Sequence, residues 1–249
     1  MNKIKHQIIE NILLKFPSLS RIFYKFSMRN RLGKFLKDFK LINKINCVYD
    51  IGAFKGQWSN FYKNTSLSHC NFILFEANKD HIKTLKKTGF QFFNVTLSDQ
   101  NRTVKFYNNN NSTGDSYYKE NTHNHKNLKP KEIFAYELDY VVKQNKLVTP
   151  ELIKIDTQGS EIDILKGSKQ TLKKCNFIYL ECPISNFNRN ELNFQNYIDY
   201  LNKIGFIPQE ICEIHHYHQF LVQVDILFIR KSFCIKNNFN INLLESLFN

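Results

Sequence analysis

Asp50-Ile51-Gly52-Ala53-Phe54-Lys55-Gly56 decides how the rest of the chain is read. It follows the β-rich run Cys47-Val48-Tyr49 and leads into a helix-compatible stretch around residues 58–62. A strand that turns on two glycines into a helix is the opening unit of an open α/β sheet. Such a turn can aim backbone N–H groups at a small carboxylate held at a helix N-terminus. The spacing is not GxGxxG, so the pyrophosphate signature of dinucleotide-binding folds is absent.

Outward from this turn, short β-rich runs at 47–51, 71–75, 91–96, 152–155 and 176–180 alternate with helical patterns near 58–62, 80–87, 162–172 and 194–204. That rhythm predicts βαβ units around a mostly parallel sheet. Two further runs, 206–214 and 220–229, follow Gly205 closely enough to pair as an antiparallel hairpin. Residues 108–129 are Asn-rich with almost no aliphatic side chains and predict a long polar loop, a feature that often covers a site. The chain therefore divides into a basic helical extension over 1–46, a catalytic-type α/β domain over 47–235 and a tail over 236–249, in which Leu243, Leu244 and Leu247 suggest a short helix.

The formal charge of +13 points to acidic partners, but its distribution weakens a nucleic-acid reading. Residues 1–46 hold eleven Lys or Arg against two acids, which leaves the remaining domain only mildly basic. Apolar residues recur at helical spacing over 4–13 and 19–26, and a third helix is expected over 31–41. Packing on the domain is the plain expectation for this region. A cap over the substrate site, a homo-oligomer contact and a peripheral membrane foot are the alternatives. None of the six cysteines forms a CxxC pair, so buried reduced thiols are expected rather than zinc or disulfides. No apolar run approaches the ~20 residues of a membrane span, and no signal-peptide core opens the chain; a cytoplasmic location is expected.

Three later features add chemistry to the turn. The second strand ends in Glu76, 26 residues after Asp50, at the carboxyl edge where α/β sheets bind ligands; a carboxylate there can accept both hydroxyls of a ribose. The third strand ends in Leu97-Ser98-Asp99, polar groups suited to an adenine. The run Ile153-Lys154-Ile155-Asp156-Thr157-Gln158-Gly159-Ser160-Glu161 delivers Asp156 to the same edge and opens a helix with Glu161, whose charge suits the helix N-terminus.

On these residues, together with Tyr179-Leu180-Glu181 and Val224-Asp225-Ile226-Leu227-Phe228, the chain resembles the FkbM family of S-adenosylmethionine-dependent methyltransferases over roughly residues 48–230. The family commonly has Asn where this chain has Phe54. The resemblance implies a class I methyltransferase (Rossmann-like) fold, a seven-stranded, mostly parallel sheet with a reversed last strand. It also implies S-adenosyl-L-methionine held by Asp50, Gly52, Ala53, Gly56, Glu76, Ser98, Asp99 and Asp156. Members typically methylate oxygen, often a sugar hydroxyl of surface polysaccharides or natural products. Basic residues near the site rank a nucleotide-activated sugar slightly above a finished polysaccharide as acceptor.

An alcohol is a poor nucleophile at neutral pH, so a base or a metal is expected beside it. Asp156 and Glu181 end adjacent central strands in this topology, and the cluster His215-His216-Tyr217-His218 falls on the same rim. Asp156, Glu181 and His216 are therefore the candidate catalytic residues and the candidate ligands of Mg²⁺ or Mn²⁺. A nucleic-acid methyltransferase is the first rival, but the Asn/Asp-Pro-Pro-Tyr type run that stacks a flipped base is absent, so no nucleic acid is expected. A nucleotide-dependent oxidoreductase would need the missing glycine signature. A non-catalytic module that binds the cofactor or docks on a membrane is the remaining alternative.

Overall fold

Strand β1 (Cys47–Ile51) is buried along its whole length, which is what a central strand with helices on both faces requires. The computed structural model describes residues 30–108, 114–119, 128–185, 188, 192–237 and 239. Among them α1 (Arg31–Asp38) precedes β1, and α2 (Gln57–Lys63), β2 (Asn71–Glu76), α3 (Ile82–Leu85), β3 (Gln91–Asn94), β4 (Thr96–Leu97) and β5 (Arg102–Phe106) follow it. The chain continues through β6 (Lys131–Tyr136), α4 (Leu138–Gln144), β7 (Leu152–Ile155), α5 (Glu161–Lys166), α6 (Lys169–Leu172) and β8 (Phe177–Pro183). It ends in α7 (Phe194–Lys203), β9 (Phe206–Tyr217), β10 (Phe220–Arg230) and α8 (Lys231–Lys236).

Seven strands form one sheet in the order β3-β2-β1-β7-β8-β10-β9. Within this sheet every pairing is parallel except the two made by β10, which runs against both β8 and β9. This is the class I methyltransferase arrangement, with the last strand reversed and inserted between its two predecessors. The strand order reverses direction between β1 and β7, and ligands of open α/β sheets bind at such a switch point.

Alternation along the strands fills a core on each face. Tyr49, Ile51, Ile153, Ile155, Ile178, Leu180, Ile226 and Phe228 meet α4, α5 and α7 on one side. Val48, Phe72, Leu74, Leu152, Phe177, Leu227 and Ile229 fill the other, together with Leu32, Phe35 and Leu36 of α1 and with Leu41 and Ile45. The described part of the basic extension is thus packed into the domain. The helices expected over 4–13 and 19–26 and the tail helix at 243–247 lie outside the described residues. All six cysteines are buried and free. Among the described residues no helix is long and apolar enough to cross a membrane.

A second sheet, β4-β6-β5, was not expected from the sequence. Its strand β6, Lys-Glu-Ile-Phe-Ala-Tyr, buries only Ala135 fully, so its exposed positions carry charge and hide the apolar alternation. The polar segment after β5 returns to the domain at a bridge between Tyr107 and Ser116. Tyr118 and Tyr117 then donate hydrogen bonds to Asp163 of α5, at 2.7 and 3.3 Å.

Candidate functional site

At the switch point the chain leaves β1 through two left-handed glycines, Gly52 (φ 73°) and Gly56 (φ 74°). The first position tolerates no side chain: a β-carbon on Gly52 would lie 1.8 Å from the carbonyl oxygen of Asp156. The turn is tied to the neighbouring strand, because Gly52 N and Ala53 N both donate to the Phe75 carbonyl, at 3.0 and 3.1 Å. Above it opens a cleft of about 230 Å³. Gly52, Ala53, Phe54, Trp58, Glu76, His81, Thr96, Ser116, Tyr117, Lys154, Asp156 and Gln158 are among its walls.

Glu76, at the end of β2, is buried, and its carboxylate is held by main chain. Phe54 N donates to Oε2 at 2.6 Å and Asn78 N to Oε1 at 2.8 Å. A carboxylate offers about four lone-pair sites, so about one on each oxygen stays open toward the cleft. The His81 imidazole stands beside it, its Nδ1 3.6 Å from Oε1.

On the opposite wall lies a charge triad whose Lys154 and Asp50 are buried. Lys154 Nζ sits 3.2 Å from Asp50 Oδ1 and 3.2 Å from Asp156 Oδ2, and donates to the Gly52 carbonyl at 3.1 Å. Ser59 Oγ completes the Asp50 carboxylate at 2.6 Å. Burial works against the Lys154 charge, yet Asp156 and Asp50 outweigh it and raise its pKa. Burial likewise opposes ionisation of Asp156, and there the Lys154 ammonium prevails and holds the carboxyl below its ordinary value. The Asp156 side chain, 39% exposed, presents this fixed charge to the cleft.

Beyond Asp156 the register lines up more ionisable groups. Glu181 of β8 lies opposite Asp225 of β10, which lies opposite Glu213 of β9. Gln158 Nε2 donates to both Asp156 Oδ1 (3.2 Å) and Glu181 Oε2 (2.7 Å), and Gln223 donates to Glu181 Oε1. Burial, then the Asp156, Asp225 and Glu161 charges, push Glu181 well above the usual carboxylate range. The two shifts run in opposite directions, Asp156 toward the ionised form and Glu181 toward the protonated one. Farther along, His215 Nε2 lies 3.4 Å from Asp225 Oδ1, and Tyr179 donates to Asp225 Oδ2 at 2.9 Å. The Asp225 carboxylate raises the His215 pKa against the opposing effect of burial.

The expected site residues are thus distributed unevenly. Gly52, Ala53, Glu76 and Asp156 line the cleft, Asp50 supports it from below through Lys154, and Gly56 starts α2. Ser98 and Asp99 do not line it: Ser98 is fully buried, and both side chains are engaged by Arg102. Thr96 and Ser116 supply polar groups at that edge instead. Glu161 organises the loop before it, accepting from Thr157 N, Gly159 N and the Tyr197 hydroxyl.

The grouping of Asp156, Glu181 and His216 as metal ligands needs correction. His216 is exposed at the hairpin opposite Leu221, while Lys154 and the Gln158 and Gln223 amides already occupy the two carboxyl groups. Those residues do not fit a divalent ion. Among the described residues the one His/carboxylate group within ligand reach of itself is Glu213, His215 and Asp225. Lys154, Gln158, His81 and Gln223 were not singled out from the sequence. Lys154 was discoverable, since it stands two residues before Asp156 and hence on the same face of β7. A cation inside an otherwise apolar buried strand asks for a carboxylate on each side.

No curated protein matches the chain. Among solved structures it is similar to the methyltransferase FkbM from Methylobacillus flagellatus KT, at 14% identity and TM-score 0.47 over 74% of this chain and 43% of that one. It is also similar to the magnesium protoporphyrin IX methyltransferase ChlM from Synechocystis PCC 6803, at 8% identity and TM-score 0.49, covering 84% and 81% of the two chains. M. capricolum TrmK, solved with S-adenosyl-homocysteine, shows 13% identity and TM-score 0.43 over 78% of this chain and 67% of its own. The chain spans less than half the length of the first of these. The methyltransferase FkbM domain matches residues 50–237, about three quarters of the sequence and the whole of the cleft just described, and the chain belongs to that family.

Proposed function

We propose that this protein is an S-adenosylmethionine-dependent O-methyltransferase that acts in the cytoplasm on a sugar hydroxyl. A nucleotide-activated sugar destined for surface polysaccharide is the proposed acceptor. One observation carries the cofactor half of this reading. Glu76 keeps one open acceptor site on each oxygen, matching the two hydroxyls of a ribose, and it faces Asp156 across a cleft at the switch point. The family membership supports methyl transfer, and the sugar acceptor rests on the family resemblance read from the sequence.

When bound, the cofactor supplies an electrophilic methyl group on sulfur. Gly52 lets the turn pack against the Asp156 carbonyl, Glu76 would hold the ribose, and Asp156 would receive the acceptor. An acceptor hydroxyl would donate to Asp156, and the Asp156 carboxylate would take up the proton that the hydroxyl gives up once it is methylated. A carboxylate with a depressed pKa suffices for a proton lost this late. Lys154 keeps Asp156 charged beforehand, and Glu181 keeps a proton on its side of the pair, so the two carboxyls do not repel.

The test is a transfer assay with methyl-labelled cofactor against a panel of nucleotide-activated sugars, with the methylated position mapped on the product. Label on a sugar oxygen is the expected result; label on nitrogen, or on RNA in place of every sugar, overturns the acceptor. Because Lys154 and not a metal neutralises Asp156, dialysis against EDTA should leave the rate within about twofold.

A further inference from the structure

His81 lines the cleft with both ring nitrogens unsatisfied among the described residues. It is 2% exposed and lies in the tight turn between β2 and α3, which the Asn78 side chain caps by accepting from Asp80 N at 2.9 Å. The Phe54 ring meets the imidazole edge-on at 4.5 Å and fixes its plane. A buried polar group left unsatisfied costs about 1–3 kcal/mol, so its retention asks for a use.

The geometry at Glu76 supplies one. The 3.6 Å between His81 Nδ1 and Glu76 Oε1 is too long for a hydrogen bond. A single oxygen about 2.8 Å from each would bridge the two, donating to the carboxylate and accepting from the ring N–H. Oε1 is an oxygen with a lone-pair site still open, since Asn78 N takes the other. We propose that His81 is a cofactor-contacting residue, donating from its imidazole to the ribose hydroxyl that Glu76 Oε1 accepts from. The Glu76–His81 pair would thereby read a hydroxyl as both donor and acceptor. The inference rests on the cofactor reading above and adds to it a discrimination against nucleosides that lack that hydroxyl.

Calorimetric titration with S-adenosylhomocysteine tests it, on wild type, His81→Phe and His81→Gln, each checked by thermal melting. His81→Phe should bind about tenfold more weakly while melting at the same temperature or higher, since an unsatisfied polar ring is replaced by an apolar one. His81→Gln keeps a donor and should stay within about threefold of wild type. The 2′-deoxy or 3′-deoxy analogue that lacks the bridging hydroxyl should lose affinity on wild type and lose less on His81→Phe, where only the bond to Glu76 remains to be removed. Unchanged binding by His81→Phe, or losses that multiply for both analogues, overturns the role of His81 while leaving the cofactor reading intact. If His81→Phe does not fold, His81→Leu takes its place under the same outcomes: unchanged binding, or losses that multiply for both analogues, overturns the proposal. Absence of binding by wild type overturns the cofactor reading and this inference together.

Discussion

The two halves of the sheet's carboxyl edge are built by different means. On the β1–β2 side the ligand groups are placed by main chain: two left-handed glycines, two N–H groups on the Phe75 carbonyl, and two more on Glu76. On the β7–β8–β10–β9 side the groups are side chains brought abreast by strand register, and Lys154, Gln158, Gln223 and Tyr179 hold them. The first half can change little without changing the path of the chain, which suits a cofactor that is the same in every turnover. The second can be retuned one side chain at a time, which suits the proposed acceptor side.

Lys154 joins the two halves, and removing it should have the largest effect. Lys154→Met leaves the buried Asp50 carboxylate, and the half-exposed Asp156 beside it, without a cation; removing the partner of a buried charge costs about 3–5 kcal/mol, and solvent at Asp156 sets the loss toward the lower end. Denaturant unfolding monitored by circular dichroism measures it, and a loss below about 1 kcal/mol would mean that the halves are independent. Asp156→Asn comes next. It should lower the transfer rate by about 100-fold or more, within the range for a lost proton acceptor, while S-adenosylhomocysteine still binds within about threefold of wild type. Equal losses in rate and in binding would erase the division between a cofactor half and an acceptor half.

Glu181→Gln should be the mildest, within about threefold in rate at neutral pH, because a protonated carboxyl and an amide present similar donors. Its signature is in stability against pH. The folded-state pKa of Glu181 is raised, so above the unfolded value of about 4.5 the folded protein holds the extra proton. Stability therefore falls as pH rises from there toward the folded value, where a second charge must form beside Asp156. Asp156, whose pKa is lowered, contributes in the opposite sense: its stabilisation is present above about 3.8 and is lost as pH falls through the folded value. The Gln variant should keep the acid loss and abolish the decline at higher pH, as read from melting temperatures across the range.

The β1–β2 half was largely legible in the sequence, because glycines and a strand-end acid at fixed spacing are local signals. Gly52 and Glu76 stand where they were expected, and β1 and β7 have the expected bounds. The other half was legible only in part. Asp156 and Glu181 do meet, but the histidine that joins the row is His215 and not His216. Bulges at Leu221/Gln223 and Asp225/Ile226 reset the alternation of the hairpin, and nothing in the sequence of β9 announces them. Ser98 and Asp99 were placed by order along the chain, and Arg102, which engages both, belongs to a sheet whose charged strands concealed it.

The pairing of β1 with β7 has a consequence for how the protein assembles. Val48 meets Leu152 across 103 residues of intervening chain, whereas Tyr217 meets Phe220 across two. Loop-closure entropy makes the distant contact slow and the near one fast. The β9–β10 hairpin, with the acidic row it presents, is expected to form early. The seam that seats the Gly52 turn against Asp156 and encloses Lys154 between two carboxylates is expected to close late. The cofactor cleft would then be among the last features of the protein to exist, so its appearance would mark the completed fold.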